Sequence, residues 1–96
     1  MENMEIIILN LEKLNFKNQT TGEISQMVRI TYGSLVPDEE RFSGLAILEC
    51  YQVQKYFDKL KDYIGKKVNA SFRKVRLKNG FKLSLVSIND TKLENI

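Results

Sequence analysis

Helical periodicity occurs in one stretch of this chain, and its position among strand-like stretches limits the folds that the chain can adopt. Within residues 53–64, apolar side chains recur at the helical spacing i, i+4, i+7 and i+11: Val53, Phe57, Leu60 and Ile64. Gly65 follows, where the end of a helix favours a left-handed residue. The remaining apolar stretches alternate or form short runs, as strands do. The sequence therefore predicts a mostly β protein with a single helix.

Five stretches have the pattern of β-strands. They are residues 4–16, 23–32, 45–51, 67–78 and 81–89. The polar segment 17–22 ends in glycine and predicts a hairpin between the first two strands. In the second strand, one parity predicts the core face: Ile24, Val28, Ile30 and Tyr32. Residues 33–44 form the longest irregular connection, in which Pro37 could open one helical turn.

The last two strands are joined by the strongest local turn signal. Asn79-Gly80 between alternating runs predicts a two-residue hairpin turn, because both central positions need a positive φ. Phe72 and Val75 lie on opposite parities, so we also expect a bulge near residues 73–74.

The resulting order, β-β-β-α-β-β, is that of the OB-fold, a five-stranded Greek-key barrel. An SH3-like barrel would not normally place a helix between the third and fourth strands. A ferredoxin-like fold would need a helix after the first strand, and residues 14–25 contain no helical pattern. We expect a single OB-like domain over residues 1–96, with residues 90–96 as a short flexible tail.

The composition argues against most enzyme sites. The 96 residues include no histidine, the usual general base and metal ligand, and Cys50 is the single cysteine. Cys50 shares its parity with Leu48 and is predicted to be a small core residue. The acidic run at residues 38–40 lacks a partner at the spacing of metal ligands. We expect a non-enzymatic protein without metal or cofactor.

The N-terminal segment predicts a cytoplasmic protein. Glu2 and Glu5 occupy positions where a signal peptide would carry positive charge. The apolar run at residues 6–9 is too short for a secretory core or a membrane span. A free cysteine also suits a reducing compartment.

Charge is distributed unevenly along the chain. Residues 1–48 contain four basic and seven acidic side chains, a net charge of −3, whereas residues 49–96 contain eleven and five, a net charge of +6. Seven basic residues and no acid occur in residues 66–82: Lys66, Lys67, Arg73, Lys74, Arg76, Lys78 and Lys82. The predicted hairpin of strands four and five is thus the basic element of the chain.

A basic hairpin with neighbouring aromatic rings has the chemistry of single-strand binding. Cations neutralise phosphates and release counterions, and flat rings stack on any base. Lys13 and Lys17 would lie at the loop between strands one and two, which also contacts oligonucleotides in OB-folds. Arg29 would lie on the sheet face between the two binding loops. A lysine-rich hairpin also suits a merely solvated strand edge that resists aggregation.

The aromatic residues divide between core and stacking. Phe57 and Phe72 are predicted in the core, while the parity of Phe81 suits core and stacking equally. The rings flanking the long connection are stacking candidates, although a position in the core is favoured for each: Tyr32, Phe42 and Tyr51.

The size, the element order and the basic segment RKVRLKNGFKL (73–83) resemble the small OB-fold single-stranded DNA-binding proteins of phages and conjugative elements. That resemblance implies a sequence-tolerant coat on single-stranded intermediates of replication or transfer. It places Arg73, Lys74, Arg76, Lys78 and Lys82 on phosphates and Phe81 under a base. It also implies a homodimer or larger assembly, with replication or conjugation proteins as partners. RNA as the ligand, and an OB-like protein-interaction module without nucleic acid, are the alternatives.

Overall fold

The computed structural model describes residues 4–35 and 45–94. Its strands are β1 (Met4–Lys17), β2 (Ile24–Leu35), β3 (Leu45–Val53), β4 (Lys67–Leu77), β5 (Gly80–Ile88) and β6 (Thr91–Lys92). Between β3 and β4, a 3-10 turn (Gln54–Tyr56) continues into the helix α1 (Phe57–Lys61). The predicted order of five strands and one helix is confirmed, and β6 is an addition.

The five long strands close into a ring. β1 pairs antiparallel with β2 and with β4, β2 pairs antiparallel with β3, and β4 with β5. A parallel pairing of Tyr51 on β3 with Ser84 on β5 completes the ring. This is the OB-fold-like barrel that the sequence predicts.

Side chains alternate between the two faces of each strand, and those that point into the ring form the core. Ile6 and Ile8 of β1 and Val28 and Ile30 of β2 are 1% exposed or less. Leu60 of α1 is fully buried in the same cluster. Ile24 shares the parity of the β2 core residues but is 65% exposed, contrary to the prediction, since it begins β2 at the far end of the β1–β2 hairpin, opposite Lys17.

Both ends of the predicted helical segment differ from the expectation. Val53 ends β3, and Ile64 is exposed and forms a parallel bridge with Ile8. Gly65 has a φ of +82° and donates its backbone N–H to the carbonyl of Ile8 at 2.7 Å. The segment after α1 is therefore bound to β1 by backbone hydrogen bonding, which a helical pattern in the sequence does not indicate.

The β4–β5 hairpin is confirmed, but its turn is shifted by one residue. Leu77 pairs with Gly80, so the two turn residues are Lys78 and Asn79, and Gly80 opens β5 with a φ of +139°. The irregularity in β4 lies between Ser71 and Phe72, slightly before the predicted position.

A turn with two positive φ values occurs instead at Asn89 and Asp90, with 47° and 65°. Asparagine and aspartate tolerate this conformation, and here they fold β6 back on β5. Leu93 is buried behind this turn. Up to Glu94, the segment expected to be a tail is thus packed against the barrel.

The fully buried side chain of Gln52 holds this C-terminal segment. Its amide nitrogen donates to the carbonyl oxygens of Leu85 at 2.7 Å and Glu94 at 2.8 Å. The backbone N–H of Glu94 donates to the Tyr56 hydroxyl at 3.1 Å, and its carboxylate pairs with Lys55. No helix in the described ranges is long and apolar enough to cross a membrane.

Candidate nucleic-acid interface

A cleft of about 580 Å³ lies between strands β1, β2 and β3 on one side and the β4–β5 hairpin on the other. Among the described residues, β3 and β5 pair only through Tyr51 and Ser84. The residues that the two strands contribute to the cleft are Tyr51 itself and residues N-terminal to this pair. The lining consists of Phe16, Met27, Leu48, Glu49, Tyr51, Leu77, Phe81, Lys82 and Leu83. One end of the barrel therefore presents a groove between two of its strands.

The cleft is apolar and accessible. Phe16 is 48% exposed, Leu77 48% and Phe81 57%. Large apolar side chains grouped on a surface mark a place where another molecule binds. Two of these three side chains are phenylalanine rings, which suit a flat ligand.

Cations border the cleft on the hairpin side. Lys82 lines the cleft, and Lys74, Arg76 and Lys78 surround a second depression of about 510 Å³ on the same hairpin. Phe81 lines both depressions. The hairpin therefore joins an exposed ring to several positive charges.

Arg29 interacts with acidic side chains on the outer face of the sheet that β1, β2 and β3 form. Its guanidinium lies 3.4 Å from the carboxylate of Glu12 and 3.8 Å from that of Glu49. A hydrogen bond with the Tyr51 side chain and these two carboxylates raise the pKa of Arg29, against a smaller opposing effect of burial. Arg29 is therefore paired with carboxylates of β1 and β3, and its contact with a phosphate stays a prediction.

The structure places six of the predicted residues around the cleft and the hairpin depression. They are Tyr51, Lys74, Arg76, Lys78, Phe81 and Lys82. Arg73 is exposed on β4 of the same hairpin. Lys17, next to the cleft residue Phe16, is exposed at the end of β1.

Two further predicted residues lie elsewhere. Tyr32 is 1% exposed and stacks on Phe72, with ring centroids 5.0 Å apart and planes at 17°. It is a core residue whose ring is closed to a base, which corrects the stacking prediction. Lys13 lies with its ammonium 4.6 Å from the centre of the Phe57 ring, at α1 instead of the cleft. Phe42 lies outside the described residues.

Sequence reasoning missed several residues of the cleft. Phe16, Leu48 and Leu77 line it, and none was a candidate. Phe16 shares its parity with the core residues Ile6 and Ile8, and the register shift between Ile8 and Asn10 is what places it on the outer face with Glu12. Leu77 lies at the hairpin end, remote in sequence from the core residues Val68 and Ala70 of β4.

Cys50 lies in the core, as predicted. It is fully buried, and burial raises the pKa of its thiol, which keeps the nucleophilic thiolate scarce. Within the part of the chain that the structure describes, no three histidine, cysteine, aspartate or glutamate side chains are grouped so that they could hold a metal ion.

Comparison of the chain with protein-family models, with curated proteins and with solved structures finds no significant match.

Proposed function

We propose that this protein binds single-stranded DNA in the cytoplasm, with little sequence preference, during replication or transfer of a phage or mobile element. The observation that carries the proposal is the exposed ring of Phe81, which adjoins both the apolar cleft and the basic depression. A single strand needs both chemistries at once, a ring for each base and a cation for each phosphate.

The arrangement of the cleft favours a single strand over a duplex. Phe16, Tyr51 and Phe81 line a groove, where they can contact only bases that are unstacked and unpaired. In a duplex the faces of the bases are covered by their neighbours. The cations of the hairpin would follow the backbone that connects these bases.

The test is a titration of a fluorescein-labelled, unstructured thirty-mer of mixed sequence, followed by fluorescence anisotropy. We expect binding at low salt that falls on the order of a hundredfold towards physiological salt, because several phosphates release counterions. Unlabelled single strand should compete, and duplex of the same sequence should compete poorly. Folded protein that does not bind at low salt would refute the proposal.

The apolar part of the cleft supports a second candidate, an OB-like protein-interaction module. Leu48 and Leu77 are exposed and line the cleft together with Met27 and Leu83, and a hydrophobic partner segment would bury the exposed leucines. Such binding would change little with salt. The same titration, repeated with an RNA thirty-mer, separates DNA from RNA as the preferred ligand, and folded protein that binds neither would favour the protein-interaction module.

A further inference from the structure

Glu49 is the acidic residue of the cleft, and its position bears on which bases the cleft accepts. It lines the cleft beside Tyr51, two positions along β3, and its side chain is 53% exposed. An ionised carboxylate accepts hydrogen bonds and donates none. A ligand that reaches Glu49 must therefore bring a donor.

The neighbouring arginine does not occupy the Glu49 oxygens with a hydrogen bond. Arg29 lies 3.8 Å from the carboxylate of Glu49, beyond hydrogen-bonding distance. The other contacts of the guanidinium are with Glu12 and Tyr51. The carboxylate oxygens of Glu49 therefore remain available to accept hydrogen bonds from a ligand.

The same charge decides which part of a nucleotide enters the cleft. A phosphate placed beside Glu49 would meet a like charge in a partly apolar groove, which is unfavourable. The cations lie across the cleft and along the hairpin, at Lys82, Lys74 and Arg76. Bases are therefore directed towards β3, and phosphates towards the hairpin.

We propose, on the basis of the proposed function, that Glu49 makes the cleft prefer cytosine over thymine. The exocyclic amino group of cytosine donates to a carboxylate, a pairing that proteins use to read this base. The only ring donor of thymine lies between two carbonyl oxygens, which a carboxylate repels. The preference is a modest bias within otherwise sequence-tolerant binding.

The experiment compares oligo-dC and oligo-dT of equal length, at low salt and at a pH near 8, where cytosine is neutral. Wild-type protein should bind oligo-dC about tenfold more tightly, the effect of one hydrogen bond to a charged group. In E49Q the amide can donate to thymine carbonyls and carries no charge, so the preference should fall to about twofold or less.

E12Q is the matched control. It removes the same charge from the same arginine, but Glu12 does not line the cleft, so E12Q should retain the preference for cytosine. Equal binding of oligo-dC and oligo-dT by wild-type protein would overturn the inference and leave single-strand binding intact. A preference that survives in E49Q would also overturn it. Failure of wild-type protein to bind either strand would refute both the inference and the proposed function.

Discussion

The ammonium nitrogen of Lys74 lies 4.3 Å from the centre of the Phe81 ring, so that a positive charge covers an aromatic ring near the end of the β4–β5 hairpin. This cation–π contact is worth about 0.5–1 kcal/mol at an exposed site and restrains both side chains. The ring also borders the cleft. A base stacked on Phe81 would thus have a cation beside it for the attached phosphate.

Replacement of Phe81 by alanine should weaken single-strand binding about tenfold, because stacking contributes about 1–3 kcal/mol per base. The fold should be retained, since Phe81 is 57% exposed. Fluorescence anisotropy with a labelled thirty-mer measures the loss. I47A is the control, because Ile47 is 56% exposed on β3 but does not line the cleft. Equal losses in F81A and I47A would argue against stacking at Phe81.

Removal of two hairpin cations should reduce the salt dependence of binding. In the double variant R76A/K78A, the slope of log K against log salt should become less steep by about 1.4, since each phosphate contact on a single strand contributes about 0.7. The variant K59A/K61A removes the same charge from α1 and serves as the control. If both variants change the slope equally, only net charge matters and the hairpin is not the contact surface.

The buried phenol of Tyr32 should make the barrel less stable at high pH. Burial, with a smaller contribution from Cys50, raises the pKa of Tyr32 to about 12. An unfolded tyrosine titrates near 10, so the stabilisation is complete below about pH 10 and is lost as the pH rises towards 12. Between these values, wild-type protein should lose up to about 1.4 kcal/mol more per pH unit than Y32F.

Urea unfolding at a series of pH values measures this difference. From about pH 7 to 9, the difference in free energy of unfolding between wild-type protein and Y32F should be constant, which provides the internal control. A difference that also stays constant between about pH 10 and 12 would show that Tyr32 does not cause the alkaline loss.

Replacement of Gln52 by alanine should destabilise the protein by about 2–4 kcal/mol, because two carbonyl oxygens lose their buried donor. The C-terminal segment should open first, and hydrogen exchange at the Leu93 amide, which donates to the Val86 carbonyl, should speed up. Q54A is the control, because the Gln54 amide makes one longer bond of 3.4 Å and should cost less than about 1 kcal/mol. Equal losses in both variants would contradict this role for Gln52.

Most of the fold could be predicted from local patterns. Alternation in β2 and the apolar run in β1 reflect which faces are buried, and a two-residue turn between β4 and β5 follows from Asn79-Gly80. The single helical segment then selects an OB-like order. The shifted turn and the strand β6 were missed because each depends on pairing with β5, and local sequence does not specify that pairing.

Of the candidate site, the sequence predicts only the basic residues of the hairpin, which their charge is sufficient to identify. The hairpin cations Arg76, Lys78 and Lys82 stand out in the sequence because no acid separates them. The roles of Tyr32 and Arg29 depend instead on residues remote in the chain: Tyr32 stacks on Phe72, and Arg29 meets Glu12 and Glu49 from neighbouring strands. Residue type and parity therefore determine the strands and the basic hairpin. Closure of the barrel determines which rings and charges remain available to a ligand, because it brings together side chains that are distant in sequence.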